Sequence, residues 1–291
     1  MKKMNFPHPK GAPSGVILDM HIHTDASPDS NNDISSLIRR AVSLGINGFA
    51  VCDHNKIITS EKLKEKAISS GLDKELGIEI NPSKPCKNAF YLIGGGEYAF
   101  EGSHVLGIFI DGDENVPQAF GNAEEYISFV KESGGYTVLA HPYEHLSSDK
   151  EPRLSPEIFD FIEAFNGRAG YKHALSNTRA ARLAEKLSSK ITAGSDAHFK
   201  KELGNGLTLV ENDNRDGLLP SYDELKNSFF ENRSRLFRGK PSPRRVVPKS
   251  SLLRAVRSKS IKAIIKASAL YLIYLTRDLL YPQKETEINN N

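Results

Sequence analysis

Residues 16–23 read VILDMHIH, an apolar run that ends in two histidines separated by one residue. The apolar run predicts a buried β-strand, and the spacing of two places His21 and His23 on the same side of it. Two other apolar runs, at residues 48–55 and 190–198, also end in polar groups. Helical stretches separate these strands, and this alternation predicts an α/β fold with a largely parallel sheet. In such folds the chemistry collects at the carboxyl ends of the strands.

The segments between these runs predict the remaining elements. Asp33 is placed to cap the first helix, and Gly45 is placed to end it. Further helices are expected over residues 61–69, 123–133 and 177–189. Further strands are expected over residues 89–98, 136–142, 159–168 and 206–211.

The composition restricts the class of protein. The chain has 291 residues, of which 38% are hydrophobic and 26% charged, and a mean hydropathy of −0.42. These values describe a soluble globular protein and exclude a fibre or a wholly disordered chain. The only cysteines are Cys52 and Cys86, which excludes a disulfide-framed scaffold and a four-thiolate zinc site. Residues 1–15 read as a flexible leader without an apolar signal segment, so a cytoplasmic location is expected.

The charge is distributed unevenly along the chain. Residues 226–262 contain twelve Lys or Arg and one Glu, while residues 263–291 balance to zero. Since the whole chain carries +3, residues 1–225 carry −8. A basic segment of this kind is typical of contact with nucleic acid or an acidic surface. It could equally dock on the acidic body of its own chain.

Histidines and carboxylates gather at the predicted strand ends. The candidate metal donors are His21, His23, Asp29, Asp53, His54, Glu97, His104, His141, Asp196 and His198. Imidazole and carboxylate without thiolate suit zinc, manganese or iron. Ten donors exceed the needs of one ion, so two or three divalent ions bridged by carboxylate are expected. Clustered divalent ions indicate hydrolysis, above all of phosphate esters, because cations stabilise the charge that spreads over the phosphoryl oxygens.

The order of these motifs resembles that of the PHP (polymerase and histidinol phosphatase) superfamily of metal-dependent phosphoesterases, in its stand-alone branch. The motifs are DMHIHTDASPDS (19–30), VCDHN (51–55), GGGEY (94–98), SHVLG (103–107), AHP (140–142), EAFNGR (163–168) and GSDAH (194–198). The resemblance covers residues 16–212 and makes this range the expected phosphoesterase domain. It implies a distorted (β/α)7 TIM-like barrel with metal ions at the carboxyl ends of the strands.

The resemblance also implies a ligand set. A first ion would be held by His21, His23, Glu97 and Asp196. Glu97 would bridge to a second ion held by His104 and His141. A third ion would lie between Asp29, His54 and His198. Within this set, the residues expected to act in catalysis are Glu97, His141 and Asp196.

One position departs from the pattern of related sequences. The early aspartate often lies five residues after the paired histidines, whereas Asp29 lies six residues after His23. Asp25 competes with Asp29 for this role, and an occupancy of two ions instead of three stays open.

Four further residues are expected to support the site. Asp53 and Glu163 are expected to orient ligand imidazoles, because ligand histidines usually donate their second ring N–H to such a group. Asn166 and Arg168 follow a strand end and are expected to bind substrate. Arg168 would hold a phosphate through two parallel hydrogen bonds. The alternative for Arg168 is an exposed loop position.

These observations predict a metal-dependent phosphoesterase. A metal-bridging hydroxide would hydrolyse a small phosphorylated metabolite, a nucleotide or a short oligonucleotide. One alternative is a nuclease that its basic tail recruits to nucleic acid, and another is a catalytically idle metal-binding scaffold. Carbon–nitrogen hydrolysis in the manner of amidohydrolases is less favoured, because no bridging lysine is apparent.

Residues 213–291 lie beyond the motifs and are expected to form a basic, mainly helical extension. Residues 221–230 predict a short helix, residues 238–250 a connector, and residues 250–280 a helical region. The longest run there without a charged residue or threonine, 267–275, spans about 14 Å as a helix, whereas a bilayer core needs about 30 Å. No transmembrane span is therefore expected. The apolar helix is expected to pack on the barrel or on a second subunit, with a membrane surface as the alternative.

Overall fold

The computed structural model describes residues 15–112, 116–144, 146, 150–171, 173, 175–212, 216–231 and 233–281. The expected leader, apart from Gly15, lies outside these residues, and so does the end of the tail. In chain order the strands are β1 (Gly15–Ile22), β2 (Gly48–Val51), β3 (Glu79–Ile80), β4 (Ala89–Ile93), β5 (Gly95–Phe100), β6 (Ser103–Ile108), β7 (Tyr136–Ala140), β8 (Phe161–Asn166), β9 (Lys190–Gly194), β10 (Gly206–Glu211) and β11 (Ser234–Gly239). The α-helices are α1 (Ile34–Leu44), α2 (Ser60–Ser69), α3 (Leu72–Leu76), α4 (Ala123–Glu132), α5 (Ser176–Leu187), α6 (Tyr222–Phe230), α7 (Val246–Arg257) and α8 (Ile261–Leu280).

The strands form two sheets that face a shared interior. One sheet has the order β11-β10-β1-β2-β4-β3, and the other has the order β5-β6-β7-β8-β9. Leu18 and Met20 of the first sheet pack in one cluster with Leu106 and Val138 of the second. Single bridges join the ends of β1 and β9 and the ends of β2 and β5. This is the expected α/β architecture, and strands that share one interior are what a distorted barrel requires.

Helix α1 shows how the sequence sets the boundaries of an element. The Asp33 side chain accepts a hydrogen bond from the backbone N–H of Ser36 at 2.8 Å, which caps the helix as predicted. Leu37 and Ile38 on its apolar face are fully buried. Gly45 then takes a left-handed conformation with φ 71° and ends the helix. The other predicted helices of the barrel begin and end within two residues of their expected positions.

The prediction of a largely parallel sheet is only partly correct. The pairs among β1, β2, β4 and β3 and among β7, β8 and β9 are parallel. The pairs within β5-β6-β7 and within β1-β10-β11 are antiparallel. The predicted strand 89–98 is split at Gly94 into β4 and β5. A Cβ atom at Gly94 would overlap the backbone at Thr59 and Ser60, so glycine lets the chain pass the start of α2 closely.

The C-terminal region is tied to the barrel. Strand β11 pairs with β10, and Phe229 of α6 is fully buried. Helix α7 begins at Val246, so the predicted connector over residues 238–250 is wrong in its second half. Asp278 of α8 accepts hydrogen bonds from the backbone N–H groups of Arg244 and Arg245, which fixes the two last helices to each other. The domain boundary at residue 212 stays a prediction.

Membrane crossing finds no support in the described helices, because none of them combines the length and the apolarity that a bilayer requires.

Candidate metal centre

The ends of several strands bring the predicted donors together. His21 and His23 lie at the end of β1, His54 follows β2, His141 follows β7, and Asp196 and His198 follow β9. Glu97 lies within β5. His104 lies near the start of β6 and not at its end. Because β6 runs antiparallel to β5 and β7, its start lies at the same edge as the ends of the parallel strands.

The first group of donors surrounds the paired histidines. Nε2 of His21 lies 3.1 Å from Nε2 of His23. Oε2 of Glu97 lies 3.7 Å from Nε2 of His21 and 3.4 Å from Nε2 of His23. Oδ1 of Asp196 lies 3.8 Å and 3.2 Å from the same two atoms. All four side chains are buried, with at most 9% of any of them exposed.

Glu97 connects this group to a second one through its other oxygen. Oε1 of Glu97 lies 2.6 Å from Nδ1 of His104 and 3.1 Å from Nε2 of His141. A carboxylate that faces two sets of imidazoles with its two oxygens is placed to bridge two cations.

Asp29 lies in a third group with His54 and His198. Oδ1 of Asp29 lies 3.6 Å from Nε2 of His54 and 3.6 Å from Nε2 of His198, and these two nitrogens lie 3.4 Å apart. The competing candidate, Asp25, is exposed. Oδ1 of Asp29 is buried without a hydrogen-bond partner. A buried oxygen of this kind is costly unless a cation or a donor compensates it.

The hydrogen bonds behind the imidazoles fit metal ligands. Nδ1 of His21 lies 3.1 Å from Oε1 of Glu163, and Nδ1 of His23 lies 3.3 Å from Oγ of Ser27. Nδ1 of His198 lies 2.9 Å from the carbonyl oxygen of Asp196. If each Nδ1–H donates to these oxygens, each Nε2 is left to bind a cation. This hydrogen-bond network assigns the proton of each of these rings to Nδ1.

The carboxylates of the cluster favour protonation of some of its imidazoles, while burial lowers the pKa of His23 and of His198. Burial lowers the pKa of His21, but Glu163 and Asp196 outweigh it and raise that pKa well above its usual value. The same competition, led on the raising side by Glu144 and Glu97, brings the pKa of His141 to about 10. Burial raises the pKa of Glu97, but His104 and His54 lower it well below its usual value. Protons therefore occupy positions at which cations would replace them.

Two of the donors have strained backbones. His141 has φ 25° and Asp196 has φ 55°, in a region that residues other than glycine rarely adopt. Such strain persists where the surrounding structure fixes it, and it clusters at functional sites. In both cases the backbone turns directly after a strand and brings the side chain into the cluster.

Asp53 and Glu163 lie behind the donors. Asp53 accepts hydrogen bonds from Thr24 Oγ1 at 2.6 Å and from Ser27 Oγ at 2.5 Å. It thus supports His23 through Ser27, whose Oγ also accepts a hydrogen bond from the backbone N–H of His54. Glu163 contacts His21 directly and also accepts a hydrogen bond from the backbone N–H of His141.

The sequence analysis missed several supporting residues. Asp19 accepts hydrogen bonds from the backbone N–H groups of Ser195 and Gly204. Asn32 Nδ2 donates to the carbonyl oxygens of His23 and Ala197 at 2.9 Å each. Asp19 lies two residues before His21, just as His21 lies two residues before His23. This spacing was the signal in the sequence that could have identified it. No local pattern marks Asn32, because Ala197, one of its two partners, lies 165 residues further along the chain.

The structure does not favour the expected substrate roles of Arg168 and Asn166. The Arg168 guanidinium forms a bidentate pair with Glu202 at 2.8 and 2.6 Å and also donates to Ser250. Only 5% of Arg168 is exposed. Asn166 is fully buried, and its Nδ2 donates to Glu163 Oε2 at 3.1 Å. Both side chains therefore support neighbouring elements in this structure, and neither faces an open site.

A cavity of about 1130 Å³ lies next to helices α1 and α7, and none of the described donor side chains lines it. It borders the loop after Asp29 through Asn31 and the loop after His198 through Phe199. Its lining includes the cationic side chains of Arg40, Lys200, Lys201, Arg238, Lys240, Arg245 and Lys249. Of the three acidic lining residues, Glu202 and Asp278 are paired with arginines, and Asp33 caps helix α1. This charge suits an anionic ligand.

Comparisons with known proteins identify domain models and relatives that the chain resembles. Residues 19–140 match the model of the PHP domain, and residues 174–226 match the PHP-associated model. An uncharacterized protein of Methanocaldococcus jannaschii, MJ1587, is 29% identical over 158 residues, which are 51% of this chain and 80% of that protein. A second, MJ0417, is 27% identical over 195 residues, which are 65% of this chain and 68% of that protein.

Solved structures share the fold. A two-domain protein from Bacteroides vulgatus, described as containing a predicted PHP-like metal-dependent phosphoesterase, superposes with a TM-score of 0.56 at 17% identity over 78% of this chain and 67% of its own. PsfC from Pseudomonas syringae superposes with a TM-score of 0.51 at 18% identity over 84% of this chain and 99% of its own. The two domain matches together span more than half of the chain, and the described donors form several groups that could hold a metal ion. The chain therefore belongs to the PHP superfamily and is in general terms a metal-dependent hydrolase.

Proposed function

We propose that the protein is a phosphoesterase that hydrolyses a small phosphorylated metabolite, a nucleotide or a short oligonucleotide. The observation that carries the proposal is the position of Glu97. One of its oxygens lies beside His21 and His23, and the other lies beside His104 and His141. Two cation positions that share a carboxylate are the arrangement that phosphoester hydrolysis uses.

The donors present suit two or three divalent ions of zinc, manganese or iron. Every candidate ligand atom is an imidazole nitrogen or a carboxylate oxygen, and borderline ions prefer such ligands. Bound there, divalent ions supply an activated water molecule and positive charge for the phosphoryl oxygens.

The chain's own residues hold the imidazole rings in place, exclude bulk water and leave one side of the cluster open to a substrate. Glu163, Ser27 and the Asp196 carbonyl fix the imidazole rings. Most of the donors are buried, which excludes bulk water and strengthens electrostatic interactions. His54 and His104 are 21% and 25% exposed, so the side of the cluster at which they lie is open to a substrate.

A substrate panel tests this proposal. Protein loaded with Mn²⁺ or Zn²⁺ is assayed against phosphomonoesters, nucleotides, short oligonucleotides and, as a contrast, amides and cyclic imides. We expect metal-dependent release of phosphate or nucleotide that a chelator abolishes. Hydrolysis of carbon–nitrogen bonds without any phosphoester turnover would contradict the proposal.

The alternative of a nuclease has one specific observation in its favour, namely the cationic cavity that borders the loops after Asp29 and His198. A nuclease that holds several phosphates through this lining would lose affinity for an oligonucleotide steeply as the salt concentration rises, because each neutralised phosphate releases counterions. A phosphatase of small metabolites would show only a weak salt dependence. The comparison of both substrate classes at about 50 and 200 mM salt separates the two.

A further inference from the structure

Helix α7 presents one face to the loops that carry metal donors. Ser250, Arg254 and Arg257 are spaced by four and three residues and therefore share a face. Ser250 Oγ accepts a hydrogen bond from Arg168 at 3.0 Å. Arg257 Nη1 donates to the carbonyl oxygens of Ser27 and Ser30 at 2.9 and 2.8 Å.

These contacts anchor α7 at two points. Arg168, which holds Ser250, is paired with Glu202, and Glu202 also accepts a hydrogen bond from the backbone N–H of His198. Lys249 adds a cation–π contact, since its Nζ lies 4.1 Å from the centre of the Phe199 ring. One anchor thus holds the loop of His198. The other anchor, Arg257, holds the loop of Asp29.

Arg254 lies between the anchors and reaches the cluster. Its Nη2 donates to Oδ2 of Asp29, while Oδ1 of Asp29 faces His54 and His198. The Asp29 side chain is 4% exposed, whereas that of Arg254 is 57% exposed. The arginine therefore extends from solvent to the edge of the cluster.

Arg254 differs from Arg168 in the number of N–H groups that are left to bind a ligand. Both arms of Arg168 are engaged with Glu202 and Ser250 in a buried position. A guanidinium has five N–H groups, and the contact of Arg254 with Asp29 involves only Nη2. The planar guanidinium can bind two phosphoryl oxygens while it keeps its bond to Asp29.

We propose that Arg254 binds the phosphoryl group of the substrate at the open side of the cluster, so that helix α7 of the C-terminal extension completes the active site. This inference rests on the proposed phosphoesterase function. It replaces Arg168, which the sequence favoured for the same task and which the fold uses to anchor α7.

Binding of inorganic phosphate to the metal-loaded full-length protein tests the inference by calorimetry. The proteins compared are the wild type, Arg254→Ala, Arg254→Lys and the control Lys262→Ala, which removes an exposed cation of the same extension. We expect phosphate affinity to fall about 10- to 100-fold in Arg254→Ala. Arg254→Lys should be intermediate because it keeps the charge and loses the planar geometry. Lys262→Ala should match the wild type, and the metal content should be equal in all four proteins.

Three results would overturn the inference. The first is an unchanged phosphate affinity in Arg254→Ala. The second is a lower metal content in Arg254→Ala that Arg254→Lys restores, because Arg254 would then act through Asp29 as a positioning residue. The third is a metal-loaded wild type that binds no phosphate.

The same data distinguish this inference from the proposed function. A wild type that hydrolyses phosphoesters while Arg254→Ala keeps its phosphate affinity and its KM contradicts the inference alone. A wild type that binds phosphate through Arg254 but hydrolyses no phosphoester supports the inference on binding and contradicts the proposed function alone.

Discussion

Glu97 joins the two halves of the centre, since Oε1 lies 2.6 Å from Nδ1 of His104 and Oε2 lies 3.4 Å from Nε2 of His23. A glutamine at this position keeps the shape but loses the charge that would offset two cations. We expect Glu97→Gln to lose at least one metal ion per chain and nearly all hydrolytic activity. Elemental analysis and a phosphomonoester assay measure the two effects.

The matched control for this change is Glu132→Gln, an exposed position at the end of α4. It should keep the metal content and the activity of the wild type. Circular dichroism shows whether Glu97→Gln is folded. Full activity in folded Glu97→Gln would be incompatible with a bridging role.

The raised pKa values of two imidazoles predict that metal binding releases protons. In the metal-free protein the pKa of His141 is about 10, and that of His21 is well above its usual value. Both rings therefore carry an extra proton at pH 7, whereas a ligand imidazole is neutral. We expect a net release of protons when Mn²⁺ or Zn²⁺ is added at pH 7 in weak buffer.

The sign of this effect fixes the pH dependence of metal affinity. Because protons compete with the metal, the affinity should rise as the pH rises from 6 to 9. A pH indicator dye and metal titrations at several pH values measure both quantities. Metal binding without proton uptake or release, at an affinity independent of pH, would contradict the charge state described for the cluster.

Single residues were the part of the site that could be predicted best. Short stretches of sequence were enough to identify many of the donors. Examples are the paired histidines, the DH and SDAH segments and Glu97. Arg168 was less accessible to prediction, because its partner Glu202 lies 34 residues further along the chain. The sequence shows a guanidinium at a strand end but not the carboxylate that engages it.

Among the elements, α6 (Tyr222–Phe230) lies beyond residue 212 and packs on the strands of the barrel. Phe229 is fully buried, and its ring centre lies 4.7 Å from that of Phe161 and 5.3 Å from that of Phe109. We expect Phe229→Ala to lower the free energy of unfolding by about 3–5 kcal/mol. Urea unfolding of the metal-free protein measures the change.

The neighbouring position provides the comparison. Phe230 is 43% exposed and stacks on Tyr136 at the surface, so Phe230→Ala should cost only about 1 kcal/mol. Equal costs for the two substitutions would mean that α6 is an appendage and not part of the barrel's core.

Strand direction was harder to predict than strand position. Apolar runs marked most strands, but the hairpin of β5 and β6 depends on the sharp passage at Gly94 and on the turn at residues 101–102, where Glu101 and Gly102 have positive φ. Length and hydropathy do not distinguish this turn from a longer connection. The position of His104 at the start of a strand follows from it.

At the scale of the whole molecule, the contacts of the basic segment explain part of the uneven charge distribution. Of the two open alternatives for the basic segment, docking on the chain's own body is seen, because Arg254 contacts Asp29 and Arg257 contacts the adjacent loop. Contact with nucleic acid stays a prediction. So do the cytoplasmic location and an oligomer formed through α8, although that helix carries exposed apolar side chains such as Ile265, Leu272 and Leu279.

Convergence of nine donors from distant parts of the chain into one cluster is the central claim. Elemental analysis of the purified full-length protein, loaded with Mn²⁺ or Zn²⁺ and then dialysed, tests it most directly. The account predicts two or three tightly held ions per chain. A protein that is folded by circular dichroism but retains less than one ion per chain would contradict it.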